Sequence, residues 1–192
     1  MAKQAKTLNE QELRRVLDYV ATRKHAVRNR AMIYTIFNTG MRVGEVANLR
    51  YKDVVDNDGI VKREIRLNAE DTKTNDARVV FVNDRLHKEL TKYINFYKPI
   101  NTNDKFFYSQ KRVNDGYSGN SLAQFFYHLF NKVGIVGASS HSGRRSFITN
   151  LANKGVGVRV IMGLSGHKTL GSVQRYIDCN DDMKRKAINL LN

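Results

Sequence analysis

Hydrophobic positions along the chain follow mostly helical spacing. Leu13, Val16, Leu17 and Val20 form one apolar stripe, and Thr7 followed by Glu10 resembles a capping box that opens this first helix. A strongly periodic helix begins at Ser121, and its apolar face predicts core packing rather than base stacking; that face comprises Leu122, Phe125, Phe126, Leu129, Phe130 and Val133. Further helices are predicted over 27–37 (ending near Gly40), from Arg42, and over 84–97, 144–153, 158–164, 171–177 and 181–191.

Two segments depart from helical spacing and predict strands. Apolar positions at 65 and 67, a polar stretch, and a β-rich run over 79–82 predict an antiparallel hairpin that turns around 74–76. A short strand is also predicted over 105–109. The predicted fold is therefore mainly α with a small antiparallel β-sheet (α+β).

Composition narrows the class of protein. The chain has 192 residues, one proline and no repeat or long linker, which predicts a single domain over 1–192. Lys and Arg number 33 against 18 Asp and Glu, a net charge of +15, which favours a polyanionic partner but is also found in ribosomal and membrane-surface proteins. No apolar run approaches the ~18 residues of a membrane span, and the start resembles no signal peptide. A single cysteine, Cys179, excludes an internal disulfide and a Cys-rich zinc site and favours a reducing cytoplasm.

Several polar residues lie where chemistry is plausible, although each alone also fits an ordinary structural role. His141 and Arg144 are one turn apart at a helix start, and the pair fits a solvated cap as well as an anion site. Arg42 and Glu45 fit a surface ion pair. The remaining candidates are His167 after a glycine turn, Tyr176, which fits a half-buried tyrosine, and Lys73, which fits a solvated turn lysine.

Taken together, these residue types suit phosphodiester chemistry. Arginine forks bind non-bridging oxygens, histidine transfers protons near neutral pH, tyrosine serves as a covalent nucleophile, and lysine can protonate a leaving group. The runs 39–46 (TGMRVGEV), 141–147 (HSGRRSF) and 164–167 (LSGH) leading to Tyr176 resemble the tyrosine recombinases, or phage integrase family. The resemblance extends over about 7–177, and its specificity comes from several weak motifs in the right order.

The resemblance implies a site-specific recombinase or integrase of a phage or mobile element, acting on DNA recombination sites without a metal or nucleotide cofactor. Tyr176 would form a 3′-phosphotyrosyl link while Arg42, Arg144 and His167 hold the phosphate. In the same scheme Lys73 is the general acid, His141 assists as general base on the tyrosine, and Glu45 supports the site from behind. Gly143 stands where the family commonly has leucine, which puts the packing beneath that helix in question.

The resemblance also carries expectations about organisation. The family's usual N-terminal DNA-clamping domain is expected to be absent, leaving a catalytic core over 7–177 and a helical tail over 178–192. The tail's apolar face (Met183, Ala187, Leu190 and Leu191) is expected either to dock on its own domain or to pass to a neighbour in a homo-tetramer on DNA. Further phosphate contacts are expected at Lys111, Arg112, Lys132 and Arg145.

Two other functions remain open at this point. A type IB topoisomerase would use a similar site to relax DNA, although the compact length and the short His167-to-Tyr176 spacing favour the recombinase. A non-catalytic DNA-binding protein would keep the fold, but it would not need Tyr176 together with both arginines. The expected location is the cytoplasm of a bacterial or phage-infected cell, in association with DNA.

Overall fold

The computed structural model describes residues 4–71, 76–109, 116–176 and 181–189. Within these ranges the chain forms ten α-helices and one two-stranded sheet, which confirms the mainly α fold with a small antiparallel sheet. The helices are α1 (Glu10–Ala21), α2 (Ala26–Thr39), α3 (Val43–Asn48), α4 (Tyr51–Val54), α5 (Asp84–Phe96), α6 (Gly119–Lys132), α7 (Ser142–Asn153), α8 (Val158–Ser165), α9 (Leu170–Gln174) and α10 (Asp181–Ile188). The strands are β1 (Glu64–Leu67) and β2 (Arg78–Phe81), paired antiparallel with Leu67 opposite Arg78.

The first helix begins later than the sequence predicts. Its capping box is formed by Asn9 and Glu12, whose side chains accept each other's backbone N–H at 2.8 and 3.1 Å, and not by Thr7 and Glu10. Leu8 is buried, and its N–H donates to the Ser146 hydroxyl at 2.8 Å. This contact with α7 fixes the backbone just before Asn9, whose own conformation is extended, and the helix starts after it.

The strand predicted over 105–109 is wrong. Lys105 forms only an isolated bridge with Arg50, and no ladder continues from it in the described residues. Phe106 and Phe107 are both buried, so this segment lacks the alternation of a half-buried strand. The Phe106 carbonyl instead accepts the hydroxyl of buried Tyr93 at 2.8 Å, which ties the segment to α5.

The buried residues form two clusters of unequal size. The larger one joins helices α1 to α6 with the hairpin and includes Leu122, Phe126, Leu129 and Phe130 of the aromatic face, which confirms that this face is core. The smaller one lies between α7, α8 and α9 and consists of Ile148, Ala152, Ile161 and Val173. Tyr176 packs against the smaller cluster, so these three short helices form the support of the candidate nucleophile.

Helices α2 and α7 approach each other too closely for any side chain at Gly143. A Cβ there would overlap Ile36 Cγ2 and lie 3.2 Å from both Ile36 Cβ and Phe37 Cδ2. Ile36 therefore fills the space that a side chain at position 143 would use. Packing from α2 thus occupies the volume next to Gly143, and the neighbouring Arg144 donates to the Gly40 carbonyl at the end of that helix.

The tail beyond Tyr176 is helical where it is described. Helix α10 matches the predicted tail helix, and its Ala187 and Ile188 are exposed. Leu190 and Leu191, and the side chain of Met183, lie outside the described residues, so the expected apolar face stays a prediction. Among the described helices, none combines the length and apolar character needed to cross a bilayer.

Candidate active site

A glycine turn between α2 and α3 begins the site. Helix α2 ends at Gly40, as the sequence predicts. Gly40 has the left-handed conformation (φ +64°), and any Cβ on it would collide with the Phe147 ring. The turn places Arg42 at the N-cap of α3 and points the Gly40 carbonyl at α7, where it accepts Arg144 Nη1 at 2.6 Å. Both arginines are therefore set by the backbone of one turn.

A buried carboxylate lies behind the turn. Glu45 is 2% exposed and accepts the backbone N–H of Arg42 at 2.8 Å and Arg42 Nη1 at 2.9 Å. Its Oε2 also accepts Arg78 Nη2 at 2.6 Å. The Arg42 guanidinium is thereby oriented before any ligand arrives, since charge-assisted bonds to a buried group are the strong ones.

Arg144 is the most buried of the predicted phosphate ligands. It is 5% exposed, and besides Gly40 it places Nη2 3.3 Å from both ring nitrogens of His167. Burial lowers the pKa of Arg144 to about 10, and the nearby charges of Arg42 and Arg78 add to the effect. The Arg144 guanidinium is still charged at pH 7, and a bound anion would offset the free-energy cost of keeping that charge buried.

His167 follows Gly166, whose left-handed conformation (φ +66°) ends α8. Burial, then the charges of Arg144, Arg42 and Arg78, lowers the pKa of His167 to about 4, so the ring is neutral at pH 7. Ser165 Oγ lies 2.7 Å from Nδ1. The single hydroxyl proton of Ser165 is donated to the Ile161 carbonyl at 2.6 Å, so the hydroxyl can only accept from the ring. Nδ1–H therefore donates to Ser165, which leaves Nε2 as the acceptor nitrogen of the ring.

Tyr176 completes the arrangement just after α9. Its ring centroid lies 5.7 Å from that of His167, and its N–H donates to the Val173 carbonyl at 2.9 Å. Arg145 places its guanidinium carbon 5.3 Å from the centre of the Tyr176 ring. An open cavity of about 460 Å³ lies beside these groups, and His141 forms part of its wall.

The structure brings five predicted site residues into one connected group: Arg42, Glu45, Arg144, His167 and Tyr176. Exposed His141 joins them across the cavity. Lys73, Lys111 and Arg112 lie outside the described residues. The hairpin end next to Lys73 does reach the site, because Asp76 forms an ion pair with Lys168, the neighbour of His167, at 2.8 Å.

The two remaining predicted DNA contacts lie in different surroundings. Lys132 is exposed and lines a separate groove with Arg23 and Lys24. Arg145 is half-buried and donates to Gln4 Oε1 at 2.6 Å and Thr7 Oγ1 at 3.1 Å. Contact of either residue with phosphate stays a prediction.

Sequence reasoning missed Arg78. This residue lies in the same register as buried Val80 and Val82, on the face of the hairpin that points inward. A charged residue in an inward strand position requires a buried partner, and this was the signal that could have identified it. The partner is Glu45, which also pairs with Arg42. Arg144 lies close enough for its charge to interact with both arginines, so the site carries excess positive charge.

Such an arrangement can bind one anionic group and expose it to a nucleophile. Arg42, Arg144 and neutral His167 meet at one place, and the phenol of Tyr176 borders it. Fixed cations in a partly buried site stabilise the developing charge of a phosphoryl transition state better than mobile water does. Phosphoryl transfer to Tyr176 is the reaction class that this set of groups fits.

Comparison with known proteins agrees with this geometry. Over 154 residues the chain is 29% identical to tyrosine recombinase XerC of Lactobacillus leichmannii, covering 78% of this chain and 50% of that protein. The crystal structure of XerA recombinase superposes with a TM-score of 0.75 at 25% identity, covering 97% of this chain and 65% of that one. The Tn1549 transposon integrase in complex with a circular intermediate DNA has the same fold (TM-score 0.77, 19% identity, covering 98% and 66%).

The chain spans about half the length of that XerC relative. The model of the phage integrase family matches residues 6–183, which include every group of the connected site. On this match the chain belongs to the phage integrase family.

Proposed function

We propose that this chain is the catalytic domain of a site-specific tyrosine recombinase, which cuts and rejoins DNA through a 3′-phosphotyrosyl intermediate. The observation that carries the proposal is the convergence of Arg42, Arg144 and His167 beside Tyr176, with positive charge in excess. The XerC and XerA relatives are recombinases by name, and the Tn1549 integrase was solved with DNA. The core over 7–177 is the catalytic unit, and 178–192 is its tail.

The reaction exchanges one phosphoester bond for another. Tyr176 Oη attacks the phosphorus, the bond from phosphorus to the 5′ oxygen breaks, and DNA leaves with a free 5′-hydroxyl. Arg42 and Arg144 hold the non-bridging oxygens, and His167 hydrogen-bonds the same phosphate. The phenol proton passes to His141, and Lys73 supplies the proton for the 5′ oxygen. The reverse reaction with another 5′-hydroxyl rejoins the strand, so no external energy source is needed.

The partners proposed are double-stranded DNA recombination sites and further copies of the chain. The tail helix is exposed at Ala187 and Ile188, which suits packing on a neighbour in a homo-tetramer assembled on DNA. Deleting residues 183–192 should leave single-site binding nearly intact and weaken higher-order complexes on a native gel. Unchanged assembly would place the tail on its own domain. The site of action proposed is the cytoplasm of a bacterial or phage-infected cell.

The decisive experiment traps the covalent intermediate. A nicked suicide DNA releases its short 5′-hydroxyl fragment after cleavage, so wild-type protein should accumulate an SDS-resistant adduct. Tyr176→Phe should bind the DNA and form no adduct, whereas exposed Tyr127→Phe, away from the site, should behave as wild type. An adduct with Tyr176→Phe would refute the assignment of the nucleophile. If the wild-type protein binds the DNA but forms no adduct, it is a non-catalytic DNA-binding protein. If it relaxes supercoiled plasmid without exchanging strands, it is a topoisomerase.

Two further variants test the roles of the cations. Arg42→Lys and Arg144→Lys keep the charge but lose the fork, so cleavage should fall far more than affinity. Equal loss of both would make them ordinary phosphate anchors. Lys73→Ala should be rescued by DNA with a 5′-bridging sulfur, a leaving group that needs no proton. Without that rescue, Lys73 is not the general acid.

A further inference from the structure

Arg78 lies at the first position of β2 and points into the protein. Its side chain is 11% exposed, and Nη2 donates to Glu45 Oε2 at 2.6 Å. The same carboxylate holds Arg42 through Oε1 at 2.9 Å. Glu45 thus bridges two guanidinium groups, and loss of Arg78 would leave it with a single cationic partner inside the protein.

The Arg78 side chain also crosses the turn that precedes His167. A Cβ on Gly166 would lie 2.6 Å from Arg78 Nε and 2.7 Å from its Cδ, so the side chain rests directly on this glycine. Gly166 provides the conformation that ends α8 as well as the space for the arginine. Arg78 therefore touches α3 on one side and the turn carrying His167 on the other.

The position of Arg78 is costly if its role is only to stabilise the fold. Arg42 and Arg144 lie close enough for their charges to interact, and Arg78 adds a third cation against one carboxylate. Its Nη1 is buried without a hydrogen-bond partner in the described part of the chain. Unfavourable charge of this kind is typical of functional sites, where stability is sacrificed for a fixed geometry.

We propose that Arg78 is a positioning residue of the strand-cleavage reaction. Through Glu45 it fixes the Arg42 guanidinium, and across Gly166 it fixes the turn that presents His167. This inference rests on the function proposed above.

The test compares Arg78→Met with Arg66→Met. Both arginines lie on the same hairpin, but Arg66 is exposed and faces away from the site. On suicide DNA under single-turnover conditions, Arg78→Met should cleave about 100-fold more slowly, the size of effect expected from a misplacement of about 1 Å. DNA affinity should change far less. Arg66→Met should cleave as fast as wild type. Arg78→Lys should cleave faster than Arg78→Met, because lysine again gives the Glu45 carboxylate a second positively charged partner.

A second readout does not depend on cleavage. NMR titration of the His167 imidazole in DNA-free protein reports the charges around it, which are those of Arg144, Arg42 and Arg78, with the Tyr176 ring alongside. Arg78→Met removes one positive neighbour, so the pKa of His167 should rise; Arg66→Met should not change it. Should Arg78→Met fail to fold, Arg78→Lys carries the cleavage readout, and Arg78→Gln, which also lacks the charge, carries the titration.

The possible outcomes separate the two proposals. Arg78→Met that cleaves as fast as Arg66→Met, or that loses binding and cleavage in parallel, overturns the positioning role. An unmoved His167 titration in a folded Arg78→Met protein overturns it as well. Absence of any wild-type adduct, with His167 still responding to Arg78→Met, overturns the proposed function and leaves the described contacts intact.

Discussion

Replacement of Gly143 by alanine should destabilise the protein and disturb its site together. The added Cβ would overlap Ile36 Cγ2 and press on Phe37 Cδ2 at 3.2 Å. Forcing a methyl group into a filled core costs about 1–3 kcal/mol, and the direct overlap places this case at the upper end. Helix propensity returns at most ~1 kcal/mol. We therefore expect a net loss of about 2 kcal/mol in the free energy of unfolding.

Gly163 provides the matched control. It is also a helical glycine, and a Cβ there would meet nothing within 4 Å. Gly163→Ala should stabilise the protein by about 0.5–1 kcal/mol through the unfolded state. For a chain of this length each kcal/mol corresponds to a shift in Tm of about 2–4 °C, so calorimetry and urea unfolding can resolve the two variants.

A double-mutant cycle assigns the cost to its cause. In an Ile36→Ala background the overlapping methyl is absent, so Gly143→Ala should cost much less than in wild type. Relief of the overlap should also restore cleavage, because α7 carries Arg144 against the Gly40 carbonyl. Equal stability of Gly143→Ala and Gly163→Ala, or additive effects in the cycle, would refute the reasoning.

Three other consequences concern the turns of the site. NMR should show His167 titrating near pH 4 in the folded protein, and a titration near 6.5 would contradict this. Because the unfolded state takes up the His167 proton near pH 6.5, the free energy of unfolding should fall as the pH drops from 6.5 to 4. Ser165→Ala removes the acceptor of the His167 Nδ1–H, so the nitrogen chemical shifts of His167 should show a changed tautomer population and cleavage should fall. An unchanged tautomer population would mean that Ser165 does not select the tautomer. Gly40→Ala meets both a positive φ and the Phe147 ring, and should lower Tm and cleavage more than Gly163→Ala does.

Much of the fold could be predicted because local signals agreed with the tertiary structure. The end of α2 at Gly40 and the apolar face of α6 match their sequence patterns. The start of α1 could not, since two capping boxes overlap there and a contact from Leu8 to Ser146 decides between them. The segment 105–109 has strand-like composition, but its partner is the core around Tyr93, which local sequence does not reveal.

The residues that meet at the candidate site could be named from residue types and order, whereas the contacts that support them could not. The motifs named Arg42, Glu45, Arg144, His167 and Tyr176, and the described structure connects them. The supporting contacts join segments far apart in the chain, such as Arg78 to Glu45 and Ile36 to Gly143. Such contacts leave only an indirect trace in one sequence, for example a charged residue in an inward strand position.

The charges of the site explain why a phosphate would complete it. Glu45 pairs directly with Arg42 and Arg78, and Arg144 lies near both, so the repulsion among the three arginines is only partly balanced. Burial first, and then these charges, lowers the pKa of Arg144. Burial and the same charges keep His167 neutral at pH 7, and Arg144 Nη2 lies 3.3 Å from both of its ring nitrogens. A phosphodiester among these groups would supply the missing negative charge and favour protonation of Nε2, which would turn His167 from an acceptor into a donor toward the phosphate. In the proposed reaction, the groups that repel one another in the free protein are the ones that bind and activate the scissile phosphate.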